Sequence, residues 1–315
     1  MRIAVFGTGG VGGYFGGRLA QAGEDVVFIA RGEHLKALQM HGLRVDSTKG
    51  DFIIHPAKAN CNPAEIGAVD VVLITVKAWQ VPEVTKDIRP LIRPETVIVP
   101  LQNGVEALAQ LAEVFGNKRV IGGSCSIISF INGPGHIRNT GGDPFIQFGE
   151  LDNISSERVE KLRRTFALTS GLRVEVPPDI QIALWKKFLF IVSWGGVGAV
   201  TRSPIGVFRS LPQTRQMLQR VMQEIFNVAM AHDIALPPDT VSKTLSVMDG
   251  FSPNSTASMQ RDIMSGRPSE LEAQNGAVVR FGQKVGVDTP LNTFIYHSLL
   301  PMELKARGRL DKQRS

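Results

Sequence analysis

A short apolar run, Ile3 to Phe6, stops at closely spaced glycines, continues as a helical stretch to about Ala22, and is followed by a second apolar run from Asp25 to Ala30. Strand, tight turn, helix and strand at this spacing make one βαβ unit. Further buried-strand runs fall at Val69 to Val76, Thr96 to Leu101 and Arg119 to Ser124, with helical stretches at Pro82 to Leu91 and Val105 to Phe115 between them. Such alternation predicts a parallel sheet. From Ser126 to Glu150 the rhythm changes: Asn132, Gly133, Pro134, Gly135 and then Gly141, Gly142 punctuate extended stretches, which predicts antiparallel hairpins closing the edge of that sheet. A short helix from Ser155 and a strand from Leu172 to Val176 complete the first half, and Pro177 with Pro178 marks its end.

Beyond Pro178 the period changes from two to about 3.6 residues. Leu218, Val221, Met222, Ile225, Phe226 and Ala229 recur at steps of three and four and form one apolar stripe. Further helix starts are marked by Pro237 and Pro238, by Ser269 with Glu272 as a capping box, and by Thr289 before Pro290. The fold class expected is therefore α/β: an N-terminal Rossmann-type parallel sheet over residues 1–177 and an all-helical C-terminal domain over 178–315. A length of 315 residues suits two domains, because single cores stop growing near 250 to 300 residues.

Composition changes this picture little. Four of the six net positive charges lie in residues 304–315, which read as a frayed tail, so the body is too mildly basic to imply a nucleic-acid partner. Cys61 and Cys125 form no CxxC pair and the six histidines have no ligand spacing, so neither a disulfide framework nor a metal site is expected. The N-terminal apolar run is broken by glycine too early for a signal peptide. The stretch FLFIVSWGGVGAV at 188–200 is shorter than the roughly 20 residues of a membrane span and reads as buried protein. A cytoplasmic protein without a membrane partner is expected.

The glycines after the first strand spell GTGGVG: Gly7, Thr8, Gly9, Gly10, Val11 and Gly12. Between a strand and a helix this spacing points to a bound dinucleotide, with Gly7 allowing the turn, Gly9 letting the backbone approach the pyrophosphate and Gly12 packing helix on strand. Free N–H groups and the dipole at the helix start favour the phosphates. At the end of the second strand, where an NAD site places a carboxylate, stands Arg31, whose guanidinium would attract the 2′-phosphate of NADPH; His34 and Lys36 follow as loop candidates to assist it. Lys77, and Gln102 with Asn103 and Gly104, lie at the C-terminal ends of the next strands, where ligands of open sheets bind, although loops are polar in any case. On composition alone Lys187, beside an apolar stretch, reads as a snorkelling surface lysine and Glu270 as a first-turn acid favouring the helix dipole.

Taken together, GTGGVG with Arg31, VKAWQ at 76–80, QNG at 102–104, ALWKKF at 183–188, SMQRDI at 258–263 and SELEAQNG at 269–276 make the chain resemble the ketopantoate reductases of the 6-phosphogluconate dehydrogenase superfamily, over nearly its whole length. The resemblance implies an NADPH-dependent reduction of 2-dehydropantoate to (R)-pantoate, on the route to pantothenate and coenzyme A. It implies Lys187 as general acid and substrate contact, Asn103 beside nicotinamide and substrate, and Ser258 on the substrate carboxylate. Glu270, Lys77 and the backbone near Ile128 are implied as cofactor contacts. The expected partner is a small-molecule 2-oxo acid, with a homodimer the one assembly allowed for.

The chain departs from the family pattern at Ile191, Gly195, Arg202 and Ser255, where asparagines are expected. Loss of those amides would leave a polar substrate end without donors, so a deoxy 2-oxo acid of the same branched skeleton is expected to be reduced about as well as ketopantoate. The alternatives to ketopantoate reduction are therefore reduction of a more apolar 2-oxo acid and a non-catalytic NADPH-binding protein.

Overall fold

The structure, a computed structural model, describes residues 1–310. The chain forms two compact units, one of Met1–Gln102 with Ala107–Ile180, the other of Asn103–Glu106 with the chain from Gln181 onward.

In chain order the first unit contains β1 (Arg2–Phe6), α1 (Gly10–Gln21), β2 (Asp25–Ile29), α2 (Gly32–His41), β3 (Leu43–Ser47), β4 (Phe52–Ile54) and β5 (Ala59–Asn60). There follow α3 (Pro63–Ile66), β6 (Val71–Ile74), α4 (Val81–Asp87), β7 (Val97–Pro100) and α5 (Glu106–Phe115). The unit closes with β8 (Gly122–Gly133), β9 (His136–Gly149), α6 (Glu157–Ala167) and β10 (Arg173–Glu175). Strands β5-β2-β1-β6-β7 form a parallel sheet in that order. Every residue of β6 and β7 is buried, which is why these strands read as unbroken apolar runs. Phe6 pairs with Ile29 and with Ile74, and Ile74 with Pro100, so the loops after four strands leave the sheet at one level. The chain passes from β1 to β2 on one side and returns to β6 on the other, which places the switch point of the topology at the end of β1.

The hairpins expected to close this sheet's edge do something else. β8 and β9 pair antiparallel, and β9 also pairs parallel with β3 and β10, giving a second sheet ordered β10-β9-β3-β4. Its unforeseen members are β3 and β4, a short antiparallel pair whose alternation is too brief to stand out in the sequence. Helix α1 lies against both sheets. A Cβ on Gly16 would stand 2.7 Å from Val5 of the first sheet, and one on Gly17 would stand 2.8 Å from Phe52 of the second.

The second unit is helical: α7 (Ile180–Thr201), α8 (Ile205–Ser210), α9 (Pro212–Ala231), α10 (Thr240–Asp249), α11 (Ser258–Met264), α12 (Ala277–Val285) and α13 (Pro290–Ala306). The stripe on α9 is buried except at Phe226, which is half-buried. Helix α7 is long and apolar enough to cross a membrane, but 67% of its most apolar window is buried inside the protein, the character of a core helix.

Two expectations are corrected here. Glu272 does not cap the backbone at Ser269; it reaches Arg280 and, at 2.6 Å, the hydroxyl of Tyr296. The Ser269 N–H and hydroxyl are held instead by the buried Glu303 of α13, at 2.9 and 2.5 Å. The basic end is not frayed as far as Arg307, whose guanidinium bonds Glu303 at 2.5 Å and the Ser269 carbonyl at 2.9 Å; residues 311–315 lie outside the described residues.

His34 generates a test of the first unit. It stands on α2, not in a loop, and its Nδ1 accepts the Gly135 N–H at 3.1 Å from the β8–β9 turn, while its Nε2 is buried facing the Thr8 backbone. Burial lowers its pKa below the ordinary 6.5. The folded state therefore binds a proton less readily than the unfolded chain, so this contribution to stability is present above pH 6.5 and is lost as pH falls towards the folded-state pKa. We expect the urea midpoint to drop between pH 7.5 and pH 5.5 by less in His34→Asn than in the unmodified protein; equal drops would remove His34 from this role.

Candidate active site

The glycine turn begins at Gly7, whose φ of +101° is one that side chains rarely adopt. The N–H groups of Gly7 and Thr8 both donate to the Ile29 carbonyl at 3.2 Å, and the buried Thr8 hydroxyl adds a third bond at 3.1 Å, so the turn is tied to the end of β2. Helix α1 starts directly on this turn. A Cβ at Gly12 would lie 2.3 Å from the Gly7 carbonyl and 2.4 Å from Thr75 Oγ1, an approach only glycine permits. A Cβ at Gly9 would meet nothing within 4 Å, whereas one at Gly10 would run into the Ser129 carbonyl of β8 at 2.4 Å. Val11 is half-buried against the core. The open side of the turn is thus at Gly9, in front of the α1 N-terminus, which suits a phosphate.

Of the other residues singled out in the first unit, Arg31, Lys77 and Gln102 follow β2, β6 and β7 at this sheet edge, while Lys36 lies on α2 and Ile128 on β8 of the second sheet. Arg31 has extended backbone at the start of α2, and its side chain, 67% exposed, pairs with Asp87 at 3.0 Å. Lys36 pairs with Glu33 on the exposed face of α2. Lys77 follows β6, with its Nζ 5.8 Å from the centre of the Trp79 ring. Gln102 does not face outward: its amide nitrogen donates to the Ile74 and Val76 carbonyls at 2.7 and 3.1 Å and pins the end of β6. Ile128 lies on β8 between two register irregularities, with an exposed side chain and a carbonyl that accepts from Asn139 at 3.1 Å.

The second unit brings together residues distant in sequence. Asn103 donates to Oε2 of the buried Glu270 at 3.0 Å, across 167 positions. The segment after Glu270 is a turn of π-helix, Glu272–Gly276, running into α12; such turns concentrate at functional sites. A Cβ at Gly104 would lie 2.9 Å from the Ala273 carbonyl, so Gly104 lets the QNG segment lie against this turn. On α7, Lys187 is half-buried while its neighbour Lys186 is exposed. Ile191 and Gly195 follow it at intervals of four and share its face. Ser258, half-buried, opens α11, and the next residue, Met259, packs on Gly195, where a Cβ would meet its Cε at 3.1 Å. Ser255 lies in the loop before α11 and Arg202 is exposed at the end of α7. Arg202 has a φ of +53°, a left-handed helix ending that asparagine favours for backbone reasons. Among the described residues no group of three or more His, Cys, Asp or Glu side chains is arranged to hold a metal.

Two family models match: ketopantoate reductase PanE/ApbA over residues 3–153, and its C-terminal domain over 179–303. The chain belongs to the ketopantoate reductase family. Membership makes it an oxidoreductase acting on a CH–OH group. Uncharacterized oxidoreductase YkpB of Bacillus subtilis (strain 168) is 31% identical to it over 301 residues, covering 95% of this chain and 98% of its own. The crystal structure of 2-dehydropantoate 2-reductase from Geobacter metallireducens GS-15 is 30% identical with a TM-score of 0.89, covering 96% of this chain and 99% of that one. D-mandelate dehydrogenase, solved with NADH and anilino(oxo)acetate, shares the fold with a TM-score of 0.88 at 23% identity, covering 98% of this chain and 99% of its own.

Two residues packed beside these candidates escaped the sequence reading. Glu303, which holds the residue before Glu270, carries no motif. Gln274 stands inside the quoted SELEAQNG motif, but only the fold shows that a Cβ at Gly195 would lie 3.2 Å from its Oε1. The glycine turn yields a paired test. Gly9→Ala, with open space around it, is expected to leave the melting temperature nearly unchanged and to weaken dinucleotide binding at least tenfold. Gly10→Ala, facing a backbone carbonyl, is expected to destabilise the fold by about 1–3 kcal/mol. Calorimetry and cofactor fluorescence titration read both, and unimpaired binding in Gly9→Ala would exclude close phosphate approach there.

Proposed function

We propose that the protein is an NADPH-dependent 2-dehydropantoate 2-reductase, acting in the cytoplasm on the way to pantothenate. The observation that carries the reading is the Asn103–Glu270 hydrogen bond of 3.0 Å in the same helical unit as the half-buried Lys187, because it joins two of the residues the family resemblance assigns to the reaction. The dinucleotide, when bound, supplies the hydride that adds to C2 of the oxo acid. Gly9 and the start of α1 would take its pyrophosphate, and Lys77 and the backbone near Ile128 would add contacts. Arg31 would take the 2′-phosphate: its exposed pair with Asp87 is worth at most about 1 kcal/mol, so a phosphate dianion displaces it readily. Lys187 would donate a proton to the C2 oxygen, and its half-buried setting limits competing water. Ser258 would bind the carboxylate. Asn103, oriented by Glu270, would hydrogen-bond near the reacting centre.

A second reading, reduction of a more apolar 2-oxo acid, is favoured by one feature. Phe190, Trp194 and Phe251 pack their rings together, Trp194 lying 5.4 Å from Phe190 and 4.8 Å from Phe251 between centroids. Trp194 lies seven residues after Lys187, close to the same face of α7.

Two measurements test the main reading. NADPH should be preferred to NADH, and Arg31→Asp should reduce or reverse that preference by replacing attraction with repulsion; equal use of both cofactors by the unmodified protein would sink the assignment. Lys187→Ala should lower turnover roughly 100-fold or more, with NADPH affinity little changed. Near-normal turnover in that variant would return Lys187 to an ordinary surface role.

A further inference from the structure

Three glycines near the end of α7 each face a carboxamide side chain. A Cβ at Gly198 would lie 2.5 Å from Gln260, one at Gly196 2.8 Å from Asn275, and one at Gly195 3.2 Å from Gln274. The three amides differ in what they bond. Gln260 donates to the Ser203 carbonyl at 2.9 Å and accepts from the Ala257 N–H at 3.3 Å. Asn275 donates to Asn292 at 3.0 Å, within a buried chain of bonds that continues to Glu224, although its own Oδ1 meets no donor among the described residues. Gln274 is 1% exposed, and among the described residues its Oε1 meets no donor. A buried carbonyl oxygen without a donor is costly, and a site that keeps one usually supplies the donor from outside the chain.

The surroundings of Gln274 are those of the site. Gly195, against which its amide rests, lies two helical turns from Lys187 on one face of α7. Met259, the other side chain against Gly195, directly follows Ser258. Gln274 itself stands four residues after Glu270, in the π-helical turn.

We propose that Gln274 is a specificity-determining residue, whose carboxamide, lodged against the bare Cα of Gly195, hydrogen-bonds the terminal hydroxyl of the 2-oxo acid. This rests on the reductase reading and deepens it: the amide absent from position 195 is supplied from the π-helical turn. It reverses the expectation drawn from the sequence, since a buried acceptor at this place rejects an analogue that brings no hydroxyl.

The test compares specificity constants, with NADPH, for 2-dehydropantoate and for 3,3-dimethyl-2-oxobutanoate, the same skeleton without the hydroxyl. The unmodified protein should prefer the hydroxylated substrate by roughly 1000-fold, beyond the 10- to 200-fold that an apolar pocket achieves. Gln274→Met, similar in length and apolar, should lower that preference at least about tenfold, chiefly through the constant for the hydroxylated substrate, with an unfolding midpoint close to that of the unmodified protein as the check on an intact fold. Should that variant fold poorly, Gly195→Ala disturbs the same amide by placing a methyl group 3.2 Å from Oε1 and should lower the preference in the same direction. In Gln274→Leu, adding Gly195→Asn should restore part of the preference. An unchanged ratio in Gln274→Met overturns the proposal while leaving the reductase reading in place, as does equal reduction of both acids by the unmodified protein. Turnover of neither acid would overturn both.

Discussion

Both units depend on backbone approaching something more closely than a Cβ would allow. In α1 the glycines at 12, 13, 16 and 17 face Thr75 and Val5 on one side and Ile137 and Phe52 on the other, so a helix fits between two sheets. In α7 the glycines at 195, 196 and 198 admit three amides to the helix surface. Glycine inside a helix costs about 0.5–1 kcal/mol relative to alanine. The chain bears that cost repeatedly at the two places where its chemistry is expected: the N-terminus of α1, proposed to meet a phosphate, and the face of α7 that carries Lys187.

Most of the first unit was legible because its signals are local. Ile3 to Phe6, the glycine turn and Asp25 to Ile29 follow one another within thirty residues, and buried parallel strands advertise themselves as apolar runs. The second sheet was misplaced because pairing is a non-local fact: β9 takes β3 as a partner some ninety residues earlier, and nothing in LRVDS announces it. The same limit explains Gln102. Its position at a strand end matched a ligand-facing residue, but the direction of a side chain is decided by the carbonyls of Ile74 and Val76 beside it, to which its amide donates.

In the helical unit the pattern of elements was readable and the wiring was not. A capping box at Ser269 and Glu272 fits the local spacing, yet the bonds to Ser269 come from Glu303, thirty-four residues on, because its buried carboxylate needs donors and finds them there. The departures from the family pattern also separate physically. Arg202 occupies a left-handed helix end, a backbone position, whereas Gly195 borders a buried amide. Treating the four departures as one loss of substrate contacts conflated a chain-geometry effect with a recognition effect.

The link between Ser269, Glu303 and Arg307 bears on how the protein is made. Domains form in the order of synthesis, at about 5–20 residues per second. The strands of the first unit are complete by Glu175, but the residue that leads into Glu270 gains its anchors only when the chain has been extended through Arg307. A nascent chain would therefore carry a finished first unit for several seconds before its second unit could close, and a chain cut short near residue 300 would leave Ser269 without its bonds from Glu303 and Arg307.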